Sequence, residues 1–182
     1  MALSLQDIEN LFIEKGGEQY SGEPVTQLAH ALQSGLLAES AGASDRLITA
    51  AFLHDLGHLL HDLGETPTMQ GIDDVHQYRA LPFLRTLFDD EVLNPIKLHV
   101  DAKRYLCAVR SSYFSQLSVD SVRSLALQGG IFSPVQATAF IAQPGAQEAV
   151  SLREWDDLAK TEGLPTPSLA HYIGIARRCI QQ

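Results

Sequence analysis

Ala51-Phe52-Leu53-His54-Asp55-Leu56-Gly57-His58 is the stretch on which the reading of this chain turns. A histidine followed directly by an aspartate stands inside an otherwise apolar run. Both side chains are good metal ligands, and burying either without a partner is costly. At ~100° per residue, Leu47, Ala51, His54 and His58 lie on one helical face. His58 then faces the same cavity as His54, as a ligand, a support for one, or a substrate contact.

Working outward, His30, His54, His76 and His99 follow one another at steps of 24, 22 and 23 residues. Each step is about one helix plus one loop. Side chains so spaced can converge inside a helical bundle, as they do in bundle-core metal sites. Imidazole suits iron, zinc, manganese or copper, and the adjacent Asp55 adds a hard ligand able to bridge two ions. A lone histidine on an apolar face is ordinarily a hydrogen-bonded core residue, and His61 and His171 are read that way.

The flanking pattern is helical almost throughout. An amphipathic helix is expected over 4–15, stopped by Gly16-Gly17, with a loop over 18–25. Thr26 caps a helix from Gln27 to Gly42, and Ser44 caps the helix carrying His54-Asp55, which ends near His61. A polar connection runs from Leu63 to Asp74. A helix then starts near Asp73-Asp74, carries His76 and reaches Phe88, with Pro82 as a kink. Another runs from Asn94-Pro95 to Val109. Further helices span Val119–Gln128, Ser133 to Pro144, Gly145 to Thr161, and Thr166-Pro167 to Cys179. With no strand alternation, repeat or linker, the expected fold class is all-α: one compact helical bundle over residues 1–182.

The bulk numbers narrow the partners. A chain of 182 residues with net charge −9 has no global basic footprint for nucleic acid or anionic membrane. No apolar run reaches the roughly 18 residues of a membrane span. The first residues show no basic and apolar signal regions, and Cys107 and Cys179 have no CxxC spacing, so a reduced cytoplasmic setting is expected.

An anionic substrate would therefore need local positive charge. Lys103 lies one turn from His99. Arg153 shares a face with Leu152 and Asp156 on its helix. Taken singly, Lys103-Arg104 reads as a solvated face and Arg153/Asp156 as a surface ion pair. Together, His58, Lys103 and Arg153 beside metal ligands would make an oxyanion clamp suited to phosphate or phosphonate. Asp157 competes with Asp156 for the inward place; the neighbours Leu152 and Ala149 favour Asp156.

His30, the His54-Asp55 pair and a distal aspartate resemble the HD-domain superfamily of metal-dependent all-α proteins. His76 and His99 resemble the further ligands of its dinuclear members. Tyr20-Ser-Gly-Glu23-Pro-Val-Thr-Gln, His54-Asp-Leu-Gly-His58, His99-Val-Asp-Ala-Lys103-Arg-Tyr-Leu and Leu152-Arg153-Glu-Trp-Asp156-Asp sharpen the match. They are similar to the HD-domain mixed-valent diiron oxygenases that cleave C–P bonds, and more distantly to myo-inositol oxygenase. The resemblance covers nearly the whole chain.

The resemblance implies that His30, His54, Asp55 and Asp156 bind one iron, that His76 and His99 bind the other, and that Asp55 bridges. It implies that His58, Lys103 and Arg153 hold the phosphonate with a serine of Ser121-Val-Arg-Ser124, Ser121 being favoured. Tyr20 would ligate the substrate-binding iron before substrate arrives, and Glu23 would meet a substrate ammonium. Without the resemblance, this loop is a simple turn around Gly22. The implied reaction uses an Fe(II)/Fe(III) pair and O2 to oxygenate C1, cleave the C–P bond and release phosphate with a carboxylate. A carboxylate opposite C2 favours a primary ammonium, so the expected substrate is (R)-2-amino-1-hydroxyethylphosphonate, giving glycine. N-methylated, trimethylammonio or simple hydroxyalkyl relatives are alternatives. An upstream 2-oxoglutarate-dependent hydroxylase is the implied pathway partner. The competing reading is an HD-type metal-dependent phosphohydrolase with the same ligands and a metal-bound hydroxide.

Overall fold

The computed structural model describes residues 3–20, 22–60, 71, 73 and 75–181. The expected ends of the His-Asp helix near His61 and of the connection beginning at Leu63 lie outside them. Helix α1 (Leu5–Lys15) opens on a capping box between Ser4 and Asp7. Helix α2 (Gln27–Ser40) starts where Thr26 accepts from the Ala29 amide, and Gly42 follows it in the left-handed region. Ser44 caps α3 (Asp45–Leu53).

Here the structure departs from a continuous helix. Helix α3 ends at Leu53, Asp55 takes φ −101° and ψ 10°, and the short α4 (Leu56–Leu59) starts anew. The break aims the His54 and Asp55 side chains into one cavity, which an unbroken helix would place about 100° apart.

The helix expected from residue 73 or 74 to Phe88 is two short ones, α5 (His76–Arg79) and α6 (Leu81–Leu84), with Pro82 in the first turn of the second. Val75, at φ 47°, turns the chain into His76. A β-branched residue in the left-handed region is strained, so the fold must hold it there. Helix α7 (Asp90–Val109) begins four residues before the expected Asn94. The Asp89 carboxylate accepts from the Glu91 amide, and this cap outweighs the helix-start signal of Pro95, which sits inside the helix.

After a 3-10 turn at Phe114–Gln116 come α8 (Val119–Leu127), α9 (Pro134–Ile141) and α10 (Ala146–Leu158). The last helix, α11 (Leu169–Arg178), is capped by Ser168 through the His171 amide, beyond the expected Thr166-Pro167. Among the described residues there is no strand; a bridge between Gln19 and Thr26 closes the loop carrying Tyr20. The architecture is all-α. No helix among the described residues is long and apolar enough to cross a membrane.

Two apolar clusters frame the cavity. In the larger, Phe12 stacks on Phe52 at 5.0 Å and Phe52 on Tyr172 at 5.5 Å, joining α1, α3 and α11. Gly35 lets α2 approach, since a Cβ there would lie 2.7 Å from the Tyr172 ring. The smaller cluster joins Leu98, Ala102 and Leu106 of α7 to Phe140, Ala146 and Ala149. Helix α7, ~30 Å long, runs through both and delivers His99 between them.

Candidate metal centre and anion clamp

Three histidines are fixed the same way. Nδ1 of His54 lies 2.8 Å from the Ala51 carbonyl and Nδ1 of His99 2.7 Å from that of Ile96, each three residues back on its own helix. Nδ1 of His30 lies 2.9 Å from the Ala159 carbonyl. A carbonyl only accepts, so Nδ1 carries the hydrogen and Nε2 of the neutral ring turns a lone pair inward. Burial lowers His54 to about 4, which keeps that ring neutral at pH 7.

The inward lone pairs meet Asp55, and its two oxygens divide them. Oδ2 lies 3.5 Å from Nε2 of His30 and 3.4 Å from Nε2 of His54. Oδ1 lies 3.2 Å from Nε2 of His76 and 3.6 Å from Nε2 of His99. On the first side Asp156 completes the group, 3.4 Å from His30 and 3.9 Å from His54. Two ligand groups result: His30, His54, Asp55 and Asp156; and Asp55, His76 and His99. All six residues are buried.

This constellation fits metal ions. Both Asp55 oxygens are buried without an aligned hydrogen-bond donor among the described residues. Nε2 of His76 and Nε2 of His99 are 3.0 Å apart, and those of His30 and His54 3.4 Å. Lone pairs and carboxylate oxygens crowded so closely repel unless cations lie between them. Burial works to raise the Asp55 carboxyl, but His54, His58 and His76 hold it well below the usual carboxylate range. Burial also opposes ionisation of Asp156; Arg153, then His54 and His30, more than offset it.

A second set of side chains carries positive charge against the first. Nη1 of Arg153 is 2.8 Å from Asp156 Oδ2, its Nη2 donates to Ser121 Oγ at 3.3 Å, and its Nε donates to the Tyr113 hydroxyl at 3.2 Å. Asp157 accepts from both Arg153 and Tyr113. Burial works against the Arg153 charge, but Asp156 and Asp157 stabilise it strongly. Lys103, 2% exposed, donates to Ser124 Oγ at 2.6 Å. Burial, and then Arg153, push its ammonium down to about 7.

Tyr20 covers the first ligand group. Its ring stacks on His30 at 3.9 Å, and its hydroxyl donates to Asp156 Oδ1 at 3.5 Å. Burial, and then Asp156 and Asp55, raise that hydroxyl well above its ordinary value, so the phenol keeps its proton. His58 stacks on His76 at 4.2 Å, with Nε2 3.8 Å from Asp55 Oδ1. Glu23 lies on the rim, where its Oε1 accepts from Lys160 Nζ at 3.1 Å.

No family model matches the chain. A hydroxymethylphosphonate dioxygenase of Gimesia maris is 42% identical over 166 residues, covering 91% of this chain and 83% of that protein. The chain belongs to the HD-domain oxygenases that cleave C–P bonds. A second relative, the glycine-betaine-forming [1-hydroxy-2-(trimethylamino)ethyl]phosphonate dioxygenase of Leisingera caerulea, is 33% identical over 175 residues, 96% of this chain and 89% of that one.

The structure brings the six candidate ligands together, sets Tyr20, His58 and Arg153 against them, puts Ser121 on Arg153, and pairs Glu23 with Lys160 beside the Tyr20 ring, while Lys103 is shown on Ser124. Between the two acids, Asp156 faces His30 and His54, whereas Asp157 turns to Arg153 and Tyr113. Both serines are engaged, Ser121 by Arg153 and Ser124 by Lys103.

Sequence reasoning missed Tyr113, Lys160 and Gly57. A Cβ at Gly57 would lie 2.1 Å from the His76 carbonyl oxygen, so only glycine lets α5 lie against α4. A lone glycine inside an apolar helical run was the available signal. Tyr113 and Lys160 carry none, because nothing in sequence ties them to partners 40 and 137 residues away.

Proposed function

We propose that this chain is a diiron oxygenase that uses O2 to cleave the C–P bond of a 1-hydroxyalkylphosphonate. The atoms balance without a further reductant: R–CH(OH)–PO3H2 and O2 give R–COOH and H3PO4. The observation that carries the reading is the split of Asp55, one oxygen toward each of two nitrogen-rich ligand groups, with two buried cations alongside.

His30, His54, Asp55 and Asp156 would hold one iron, and Asp55, His76 and His99 the other. Nitrogen and carboxylate donors without thiolate suit such a pair. Bound irons would acidify the C1 hydroxyl and supply the electron transfer that activates O2. Arg153 and Lys103 neutralise the phosphonate and fix its orientation, with Ser121 and His58 as further hydrogen-bonding partners. Tyr20 shields the first ligand group and yields its place when the substrate oxygen arrives. Leu53, Leu56 and Leu152, buried on the same stretches of chain as the candidate ligands, would help keep water from the oxidising centre.

The substituent on C1 separates the members of the class. The relatives' names give hydrogen in one case and a trimethylaminomethyl arm in the other, and Glu23 read alone favours an aminomethyl arm. The site lies on a chain expected to work in the cytoplasm, downstream of a C1 hydroxylation.

The test is anaerobic purification with iron, metal analysis, and phosphate release from 1-hydroxyalkylphosphonates with and without O2. About two irons per chain and strictly O2-dependent release are expected. Release that proceeds equally without O2 would favour hydrolysis and sink the oxygenase reading.

A further inference from the structure

Lys160 stands where a cationic substrate arm would need to go. A primary ammonium would be recognised by a carboxylate, and a quaternary one by an aromatic face. Next to the ligand groups, the rim offers one of each: Glu23 and the ring of Tyr20. Both are engaged from within the chain. Lys160 Nζ is 3.1 Å from Glu23 Oε1 and 5.8 Å from the Tyr20 ring centroid, while His30 stacks on that ring at 3.9 Å.

The pair is sheltered and its lysine is anchored. The Glu23 and Lys160 side chains are 15% and 14% exposed. The backbone is fixed on both sides of Lys160. The Ala159 carbonyl takes the Nδ1 hydrogen of His30, and Thr161 exchanges two hydrogen bonds with buried Gln33, at 2.8 and 3.0 Å. An arriving ammonium would have to expel a tethered cation from its carboxylate, and a quaternary one would meet like charge at the Tyr20 ring.

We infer that Lys160 is a specificity-determining residue, which neutralises Glu23 and selects 1-hydroxyalkylphosphonates whose C1 substituent carries no positive charge, hydroxymethylphosphonate being the smallest. The inference rests on the proposed phosphonate-cleaving reaction only for the ligand class; it alters the substrate that Glu23 alone suggests.

The experiment is calorimetric binding of hydroxymethylphosphonate and 2-amino-1-hydroxyethylphosphonate to the anaerobic iron-loaded chain, followed by phosphate release on admitting O2. Wild type should bind the hydroxymethyl compound more tightly. Lys160→Met should move the affinity ratio toward the aminated ligand by about tenfold, the worth of one charge-assisted hydrogen bond. Lys160→Arg should keep the wild-type ratio, and Glu23→Gln with Lys160→Met should lose the shift. A wild type that prefers the aminated ligand, or a ratio unchanged in Lys160→Met at unchanged iron content, overturns the inference. Binding with the expected ratios but no phosphate under O2 would sink the reaction and leave the selection by Lys160 standing. Binding of neither ligand would overturn both.

Discussion

The ligand half of the cavity and its cationic half are built by different means. His54 and His99 each hang on a carbonyl three residues back in their own helices. Their aim is set as soon as the helix forms. Arg153 and Lys103 are long and flexible, and other side chains aim them: Ser121, Tyr113 and Asp157 for the arginine, Ser124 for the lysine. His54 and His99 are therefore set by local geometry, whereas Lys103 depends on a tertiary contact and Arg153 on tertiary contacts to Ser121 and Tyr113 as well as on Asp157 one turn along its own helix. Changes in the ligand half should remove metal; changes around the cations should weaken phosphonate binding and leave the metal in place.

The largest effect belongs to Asp55, which both ligand groups share. On the proposed diiron centre, Asp55→Ala should reduce iron from about two per chain to nearly none and abolish turnover, since a carboxylate facing five imidazoles within 3.8 Å is lost. Metal analysis decides it: full iron content in that variant would place the centre elsewhere. Gly57→Ala is the sharper probe of the same half. Its new Cβ would displace the His76 backbone, so the second group should fail first. Iron close to one per chain and activity down about a hundredfold are expected, as for a misplacement of ~1 Å. Retention of both irons would show that α5 can give way at no cost.

The same contrast explains what could be read from the sequence. The all-α class, the caps at Thr26 and Ser44, and the histidine spacing are local or periodic signals, and they locate the ligand half. The break of α3 at Asp55 is not periodic; it follows from pulling adjacent side chains into one cavity. Helix α7 starts ahead of the Pro95 signal because the Asp89 cap, a weaker mark in sequence, wins in the structure. The supports of the cationic half, Tyr113 to Asp157 and Lys103 to Ser124, join residues 44 and 21 apart, and no pattern marks them. For the same reason Glu23 alone suggested an aminated substrate, because the partner that answers its charge lies 137 residues away.

Asp157→Asn probes the cationic half. The amide keeps the shape and removes one of the two carboxylates on Arg153. Slackening the guanidinium should raise KM for phosphonate about five- to thirtyfold, roughly 1–2 kcal/mol, with iron content and kcat little changed. A loss of iron instead would mean that Asp157 acts through Asp156, and would erase the division between the halves.

The smallest effect is a pH dependence carried by Lys103. Its folded value of about 7 lies below the ordinary lysine value of 10.5, with burial as the main cause. In the free enzyme the ammonium is present below pH 7 and lost above it, so phosphonate affinity should fall as pH rises through 7, by at most about tenfold per unit. The substrate's own ionisation acts equally on Lys103→Arg, whose guanidinium stays charged, so the wild-type to variant affinity ratio isolates the lysine. Stability should move the other way. Between about 7 and 10.5 the unfolded chain holds a proton that the folded chain has lost, so raising the pH stabilises the fold. Denaturation midpoints of wild type relative to Lys103→Met should therefore rise across that window while affinity falls. A ratio and a midpoint difference both flat from pH 6 to 9 would mean that Lys103 keeps its charge in the cavity, and that the cationic half is as firmly set as the ligands beside it.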